Sequence, residues 1–422
     1  MAARQLSRSG MEVLVLEAGG PFKPLSRKVT MAEPLRRSGL LGSERNAQRF
    51  LPSMWTARSS TELVLVRGIG AGGSTTIACG SMVRATRGLD RIGLDLGAEF
   101  DAIERELCPA AFPRERWRPT TVDMFDVAEG RGLDPVPTPK AMDALRCEAC
   151  GLCEVGCATG AKWDSRRWLA QAKEAGAEVR LDSPVEKVLF EAGKAVGLKV
   201  REGRNGQALR ADFIVLAAGG IGTAQILRAS GLPVEDRLWA DIVLTVGGRK
   251  AGADMLREPP MVWYTRHERF IVSPYLDILS HLFHRPWRKV GLRDRVGVMV
   301  KMADDSMGRV EADGTVRKDL TSADRDRLDG AAALVEGLMS EAGVEGPFAR
   351  GMLNGGHLGG TVPLGREDVD SMHPASLPER LYVADLSLLP ESQGMPTMMT
   401  AAALAMRVSQ RVCFASGALK EP

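Results

Sequence analysis

Four cysteines crowd into eleven residues, as Cys147-x2-Cys150-x2-Cys153-x3-Cys157. Thiolates this close can fold around one inorganic centre. The spacing is that of a bacterial ferredoxin-type iron–sulfur run, with Ala158 in place of the usual proline. Zinc is a second occupant for such a set. A packed loop of reduced or disulfide-linked thiols stands level with the iron–sulfur reading, and zinc comes third. Seven cysteines in all, an odd number, do not look like a secreted disulfide framework. One histidine of the five stands inside glycines, in Gly355-Gly-His-Leu-Gly-Gly360. A neutral imidazole there can take a proton near neutral pH, and the glycines allow close approach to a ring system. His267, His281, His284 and His373 lack such a setting and read as structural or exposed.

Two further runs bear on phosphate and ribose chemistry. Arg67-Gly-Ile-Gly-Ala-Gly-Gly-Ser-Thr-Thr-Ile77 follows the apolar Leu63-Val-Leu-Val66. This reads as a strand, a glycine turn and a helix start at Ser74 or Thr75. Such a turn lets backbone N–H groups face a phosphate or a flat ring. Met11-Glu-Val-Leu-Val-Leu-Glu17 reads as a buried strand closed by Ala18-Gly19-Gly20. A parallel strand ending in an acid is the second strand of a dinucleotide-binding unit, its carboxylate accepting from ribose hydroxyls.

The elements that must position these residues follow from periodicity. Residues 1–10 are helix-like, and residues 21–60 are irregular. Residues 95–107 alternate as an amphipathic helix, and 109–140 read as loop with short helices. Trp163 to Ala175 predicts a helix ended by Gly176. Ala177–Arg180, Val185–Phe190 and Ala195–Arg201 predict antiparallel strands. Ala211–Gly220 predicts a buried strand entering a turn, and Ile221–Ser230 a short helix. Ile242–Val246 and Val296–Met302 predict a mixed sheet, with a hairpin turn at Asp313-Gly314. Thr321 caps a helix that Gly343 closes. Leu381–Asp385 is a strand, and Thr397–Phe414 is a small-residue-rich helix. Met261, Val262, Trp263 and Leu276 line a pocket or belong to the core.

Composition sets the outer bounds. With 422 residues, a prior of two to three domains follows. The net charge of +3 gives no argument for nucleic acid or an anionic membrane. The longest apolar stretch, Phe213–Leu227, falls short of a membrane span.

Four segments in order resemble the glucose–methanol–choline (GMC) oxidoreductase family of FAD enzymes. They are Arg67–Ile77, Gly220–Leu232, His357–Gly365, and Leu381–Pro390 followed by Gly394-Met-Pro396 and the terminal helix. The resemblance implies an α/β fold, with a discontinuous Rossmann-like FAD domain (1–94, 160–235 and 376–422). A cap and cysteine insertion (95–159) and an α+β substrate domain with an antiparallel sheet (236–375) would complete it. It implies oxidation of the CH–OH group of an alcohol, hydride passing to the flavin and His357 acting as acid–base group. FAD contacts would fall to Glu17, Gly19, Arg67, Gly68, Gly72, Gly73, Ser74, Val185, Ala218, Gly219, Asp385, Leu386, Pro396 and Thr397.

The chain departs from the family pattern at three places. Met395 stands where Asn or His usually pairs with the first histidine, and Ala78 stands where Asn is usual. The family's opening strand and Gly-x-Gly-x-x-Gly loop have no counterpart, since Met1–Leu6 aligns with the middle of the first helix. The expectation is that the chain alone holds FAD poorly and that the coding sequence continues upstream. Some sugar-dehydrogenase relatives carry an iron–sulfur cluster in a cysteine segment before a Gly-Ala-Lys stretch, here Gly160-Ala-Lys162. The partners expected are a small alcohol and an electron acceptor, a quinone or an electron-transfer protein, in the cytoplasm. A lyase on the same fold, or a flavin-poor non-enzymatic remnant, is the alternative.

Overall fold

The computed structural model describes residues 1–24, 32–47, 51, 54–59, 62–201 and 206–419. Its largest sheet has nine strands. The order runs Met54–Arg58, Val64–Gly68, Asn354–Gly355, Ile242–Arg249, Arg295–Met302, Phe270–Pro274, Trp263–Arg266, Val136–Pro137, with Glu345–Arg350 also on Ile242–Arg249. All pairings are antiparallel except Val64–Gly68 with Asn354–Gly355. Strands Ile242–Arg249 and Arg295–Met302 are apolar on both faces and buried almost throughout. The helix Ser322–Glu341 covers this sheet. It starts on a capping box in which Thr321 Oγ1 accepts from the Asp324 amide and Asp324 Oδ2 accepts from the Thr321 amide. Trp263, Trp287, Val246 and Leu338 are fully buried in the core beneath it.

The second core gathers around the helix Met398–Ala415, with Leu381–Val383, Ile214–Leu216 and the helix Gly219–Ala229. Here the strands are parallel. Leu14–Leu16 pairs with Glu178–Arg180, and Ile214–Leu216 pairs with Leu381–Val383. A three-stranded antiparallel sheet, Val185–Glu191, Lys194–Val200 and Gln207–Arg210, lies beside them.

Several expectations need correction. Glu178–Arg180 is parallel, not antiparallel, because its partner is the distant Leu14–Leu16. After the glycine turn there is a single 3-10 turn, Gly73–Ile77, in place of an α-helix start. Within 109–140 lies a twelve-residue helix, Pro119–Gly130, opened by a proline at its first position. The irregular stretch 21–60 contains the edge strand Met54–Arg58, while its residues 25–31, 48–50, 52–53 and 60 lie outside the described residues. The sheet expected from 236–375 thus draws strands from the two earlier segments as well. Val262, Trp263 and Leu276 are core residues, whereas Met261 belongs to a small separate cluster described below.

Candidate active site

His357 follows directly on the short strand Asn354–Gly355, which hydrogen-bonds to Ile242 and Val243 on one side and pairs with Val64 and Leu65 on the other. Its side chain is 28% exposed, enough to meet a ligand. Nδ1 lies 3.1 Å from Asp241 Oδ2. A carboxylate only accepts, so Nδ1 carries the hydrogen and Nε2 presents a lone pair. Asp241 is fully buried. Its other oxygen accepts from Ser392 Oγ at 2.6 Å and from the amides of Gln393 and Gly394 at 2.8 Å each. Burial alone would push its carboxyl up, but Lys301, His357 and Ser392 hold it below the ordinary range. His357 is held below its ordinary value, first by burial and then by Lys301, against the pull of Asp241.

The glycines around His357 act differently from the expectation. A Cβ on Gly359 would lie 2.2 Å from the Leu386 carbonyl oxygen and 2.4 Å from the Trp239 ring, and one on Gly360 would lie 2.5 Å from Trp239. The ring that these two approach is the protein's own indole. Gly356, by contrast, meets only the Val66 carbonyl at 3.6 Å.

Met395 is buried among Val83, Ala85, Val243, Met261, Ile271 and Met299. Its backbone reaches His357. Gly394 and Met395 form part of the wall of a cavity of about 870 Å³, whose rim carries Arg84, Arg87, Arg91, Arg266 and Arg269. Pro396 and the buried Thr397 lead into Met398–Ala415, a helix whose first turn has no side-chain cap.

The other candidates come together as a connected series. Glu17 Oε1 accepts from the Gly19 amide at 2.8 Å and the Gly70 amide at 3.0 Å, so one carboxylate fastens the strand end to the glycine turn. Burial raises its pKa, against those amides. Arg67 stacks 4.2 Å from the Trp55 ring centroid, and its Nε is buried with no partner among the described residues. Gly68 donates to Ser74 Oγ at 3.1 Å. A Cβ on Gly72 would strike Thr76 and Arg166, while Gly73 and Gly219, both with positive φ, have nothing within 4 Å of that position. A Cβ on Gly222 would sit 3.5 Å from Arg67, and one on Gly220 would meet the Leu358 carbonyl. Asp385 Oδ2 accepts from the Gly219 amide at 2.8 Å and Thr223 Oγ1 at 2.6 Å, which joins Ala218–Gly219 to Leu386. Val185, half-buried, opens its strand at the edge of this region. The open backbone at Gly73 and Gly219 and the orphaned Arg67 Nε leave room and an unused donor for an anionic group, such as a phosphate of FAD.

The four clustered cysteines all line one small cavity, and none is in a disulfide. The Ala149 amide donates to Cys147 Sγ and the Lys162 amide to Cys157 Sγ, each at 3.4 Å. Burial pushes Cys153 up to about 12. Burial would also raise Cys157, but the Thr159 hydroxyl and three amides hold it down. Among the described residues, no three Cys, His, Asp or Glu side chains stand together as a metal site. The four sulfurs share a cavity, but among the described residues they form no metal-ligating group, so the metal expectation is not borne out. Lys162 Nζ donates to the carbonyls of Thr76, Ala78 and Cys153, which ties this loop to the glycine turn.

Sequence reasoning missed Asp241, Ser392 and Lys301. The usable signal was a lone charge inside an otherwise apolar run, as in Val296-Gly-Val-Met-Val-Lys-Met302. The remaining histidines are structural as expected, with His281 at Glu33, His373 at the Pro378 carbonyl and His267 stacked on Phe270.

Comparison with known proteins gives the following. The family model for GMC oxidoreductase matches residues 95–249. An uncharacterized GMC-type oxidoreductase of Mycobacterium tuberculosis is 31% identical over 266 residues, 60% of this chain and 40% of that protein. The chain thus spans well under half of that relative's length. An uncharacterized protein of Methanocaldococcus jannaschii is 24% identical over 65% of this chain and 70% of its own. Among solved structures, pyridoxine 4-oxidase from Mesorbium loti superposes with a TM-score of 0.70 at 14% identity, over 97% of this chain and 96% of that one. At that identity the likeness concerns the fold. Among the described residues, no helix is long and apolar enough to cross a membrane.

Proposed function

We propose that this chain, which the GMC oxidoreductase family model matches over residues 95–249, is an FAD-dependent oxidoreductase acting on the CH–OH group of a small alcohol. The observation that carries this is the His357–Asp241 pair, which is tied by the Gln393 and Gly394 amides on Asp241 to the turn that walls the cavity. Glu17, Arg67, Gly73, Gly219 and Asp385 are the residues that would hold FAD, and bound FAD would supply the hydride-accepting ring. Asp241 fixes the His357 tautomer, so that Nε2 takes the hydroxyl proton as the C–H bond is broken. Met395, packed on Met261 and Met299, walls the pocket without offering a second base.

The protein reconstituted with excess FAD is expected to show a flavin absorbance spectrum that bleaches on anaerobic addition of an alcohol substrate. Trials with primary alcohols, including pyridoxine-like hydroxymethyl compounds, start the search for that substrate. A flavin-replete protein that no alcohol bleaches would overturn the reading in favour of a lyase. A flavin-free one would favour the non-enzymatic alternative.

For the cysteine loop we propose that Cys147, Cys150, Cys153 and Cys157 are the residues that would hold an iron–sulfur centre, which would supply electron transfer toward a quinone or an electron-transfer protein. Its support is the ligand spacing, the shared cavity and the backbone amides directed at two of the sulfurs. Iron and acid-labile sulfide near stoichiometry are expected in anaerobic material, and neither would be found if the loop is merely structural. A reducing cytoplasm suits the free thiols.

A further inference from the structure

Resting on the acid–base reading of His357, a second question concerns a charge with no role so far. Lys301 sits in the strand Arg295–Met302, flanked by Val300 and Met302, and is only 4% exposed. A buried ammonium is costly unless it is partnered. Its Nζ lies 3.8 Å from Asp241 Oδ2. That oxygen is also the acceptor for His357 Nδ1 at 3.1 Å. Asp241 Oδ1 is fully engaged by Ser392, Gln393 and Gly394, so one oxygen serves both the ammonium and the imidazole.

The consequence is electrostatic. A histidine paired with a lone carboxylate gains proton affinity. It would then sit protonated at neutral pH and could not accept a proton. A neighbouring ammonium cancels much of that carboxylate's field. We propose that Lys301 is a positioning residue which, through Asp241, keeps His357 neutral and its Nε2 free to accept a proton.

The charged groups around the pair come from three elements. Asp241 stands at the head of the strand Ile242–Arg249, Lys301 is on the adjacent strand, and the Met395 backbone faces His357 from the turn. Lys301 in turn faces Asp241, Asp304 and the Cys79 thiol. Asp304 is itself neutralised by Lys318 at 2.7 Å, both side chains being fully buried. Asp241 is therefore the carboxylate left to be shared. The downward displacement of His357 agrees with this balance.

The test needs no substrate. The full chain carries five histidines, few enough to resolve by NMR after histidine-specific isotope labelling. The His357 signal is identified by its loss in His357→Asn. Titration between about pH 5 and 8 should show its midpoint rising by about one unit or more in Lys301→Met. Lys301→Gln, which removes the charge but keeps hydrogen bonding, should do the same and serves if the Met variant does not fold. Lys301→Arg should restore the original midpoint. Asp241→Asn, which leaves the ammonium without its carboxylate, should lower it. An unchanged or lowered midpoint in Lys301→Gln, or a raised one in Asp241→Asn, overturns the proposal. Flavin bleaching by alcohol on the same proteins judges the alcohol-oxidising reading separately. Bleaching with an unshifted imidazole removes the role of Lys301 alone. A shifted imidazole without bleaching supports the coupling and removes the alcohol reading.

Discussion

At the level of single residues, the chemistry proposed for the site rests on one proton acceptor, His357, and the carboxylate beside it, Asp241. Removing the acceptor tests that directly. His357→Ala is expected to slow flavin reduction by roughly 10²–10⁴-fold, the usual range for a general base, and stopped-flow reduction measures it. A native rate would sink the assignment. Met395 offers a second test. Its side chain packs among Val243, Met261 and Met299, so Met395→Asn removes apolar contacts from that cluster and sets a polar amide against it. A loss of about 1–3 kcal/mol is expected, read as a lower unfolding midpoint in urea. Placing the usual polar residue there is thus costly in this pocket. His357 stands out in the sequence because glycines frame it, and the structure pairs it with Asp241. Asp241 and Lys301 do not stand out, since an isolated charge beside an apolar run reads as a solvated strand end until the fold buries it.

Among elements, the short segment that carries His357 is the most constrained. It threads between Trp239 and the Leu386 carbonyl, and Gly359 has no room for a side chain. Gly359→Ala should cost about 1–3 kcal/mol by overpacking and displace His357 with it. Gly356→Ala, whose Cβ meets only one carbonyl at 3.6 Å, should be nearly neutral. Thermal unfolding of the two variants compares them, and equal midpoints would contradict the packing argument. The helices whose ends carry local signals, such as Thr321 and Gly343 around Ser322–Glu341, were readable to within a residue or two. Strand partners were not. Glu178–Arg180 pairs with Leu14–Leu16 across more than 160 residues of chain, and nothing local encodes that direction. Nor does Met54–Arg58 announce itself, because it is an edge strand whose Trp55 faces Arg67 rather than a continuous core.

For the molecule as a whole, two buried carboxylic acids join the middle segment 95–159 to loop and helix residues of the segment 236–375. Glu154, beside Cys153, accepts from the Ile278 amide at 3.0 Å and is pushed up to about 8 by burial and by Asp277. Glu258 accepts from Thr121 Oγ1 and from the Arg118 amide at 2.8 Å, and burial pushes it up to about 7. Both keep their protons in the folded protein at a pH where the unfolded chain has lost them. The sign follows from proton counting. Below about pH 4.5 both states are protonated and the contacts contribute fully. As pH rises toward 7 to 8 the unfolded chain binds fewer protons than the folded one, so stability falls. Glu154→Gln keeps a carbonyl oxygen for the Ile278 amide but cannot ionise. Its unfolding midpoint relative to the parent is therefore expected to improve steadily from pH 5 to about pH 8. The Glu154→Gln/Glu258→Gln pair should improve further, since the two acids clamp different parts of the segment. Urea titrations at three pH values measure this, and a parent-minus-variant difference that does not change with pH would show that neither acid holds its proton in the fold.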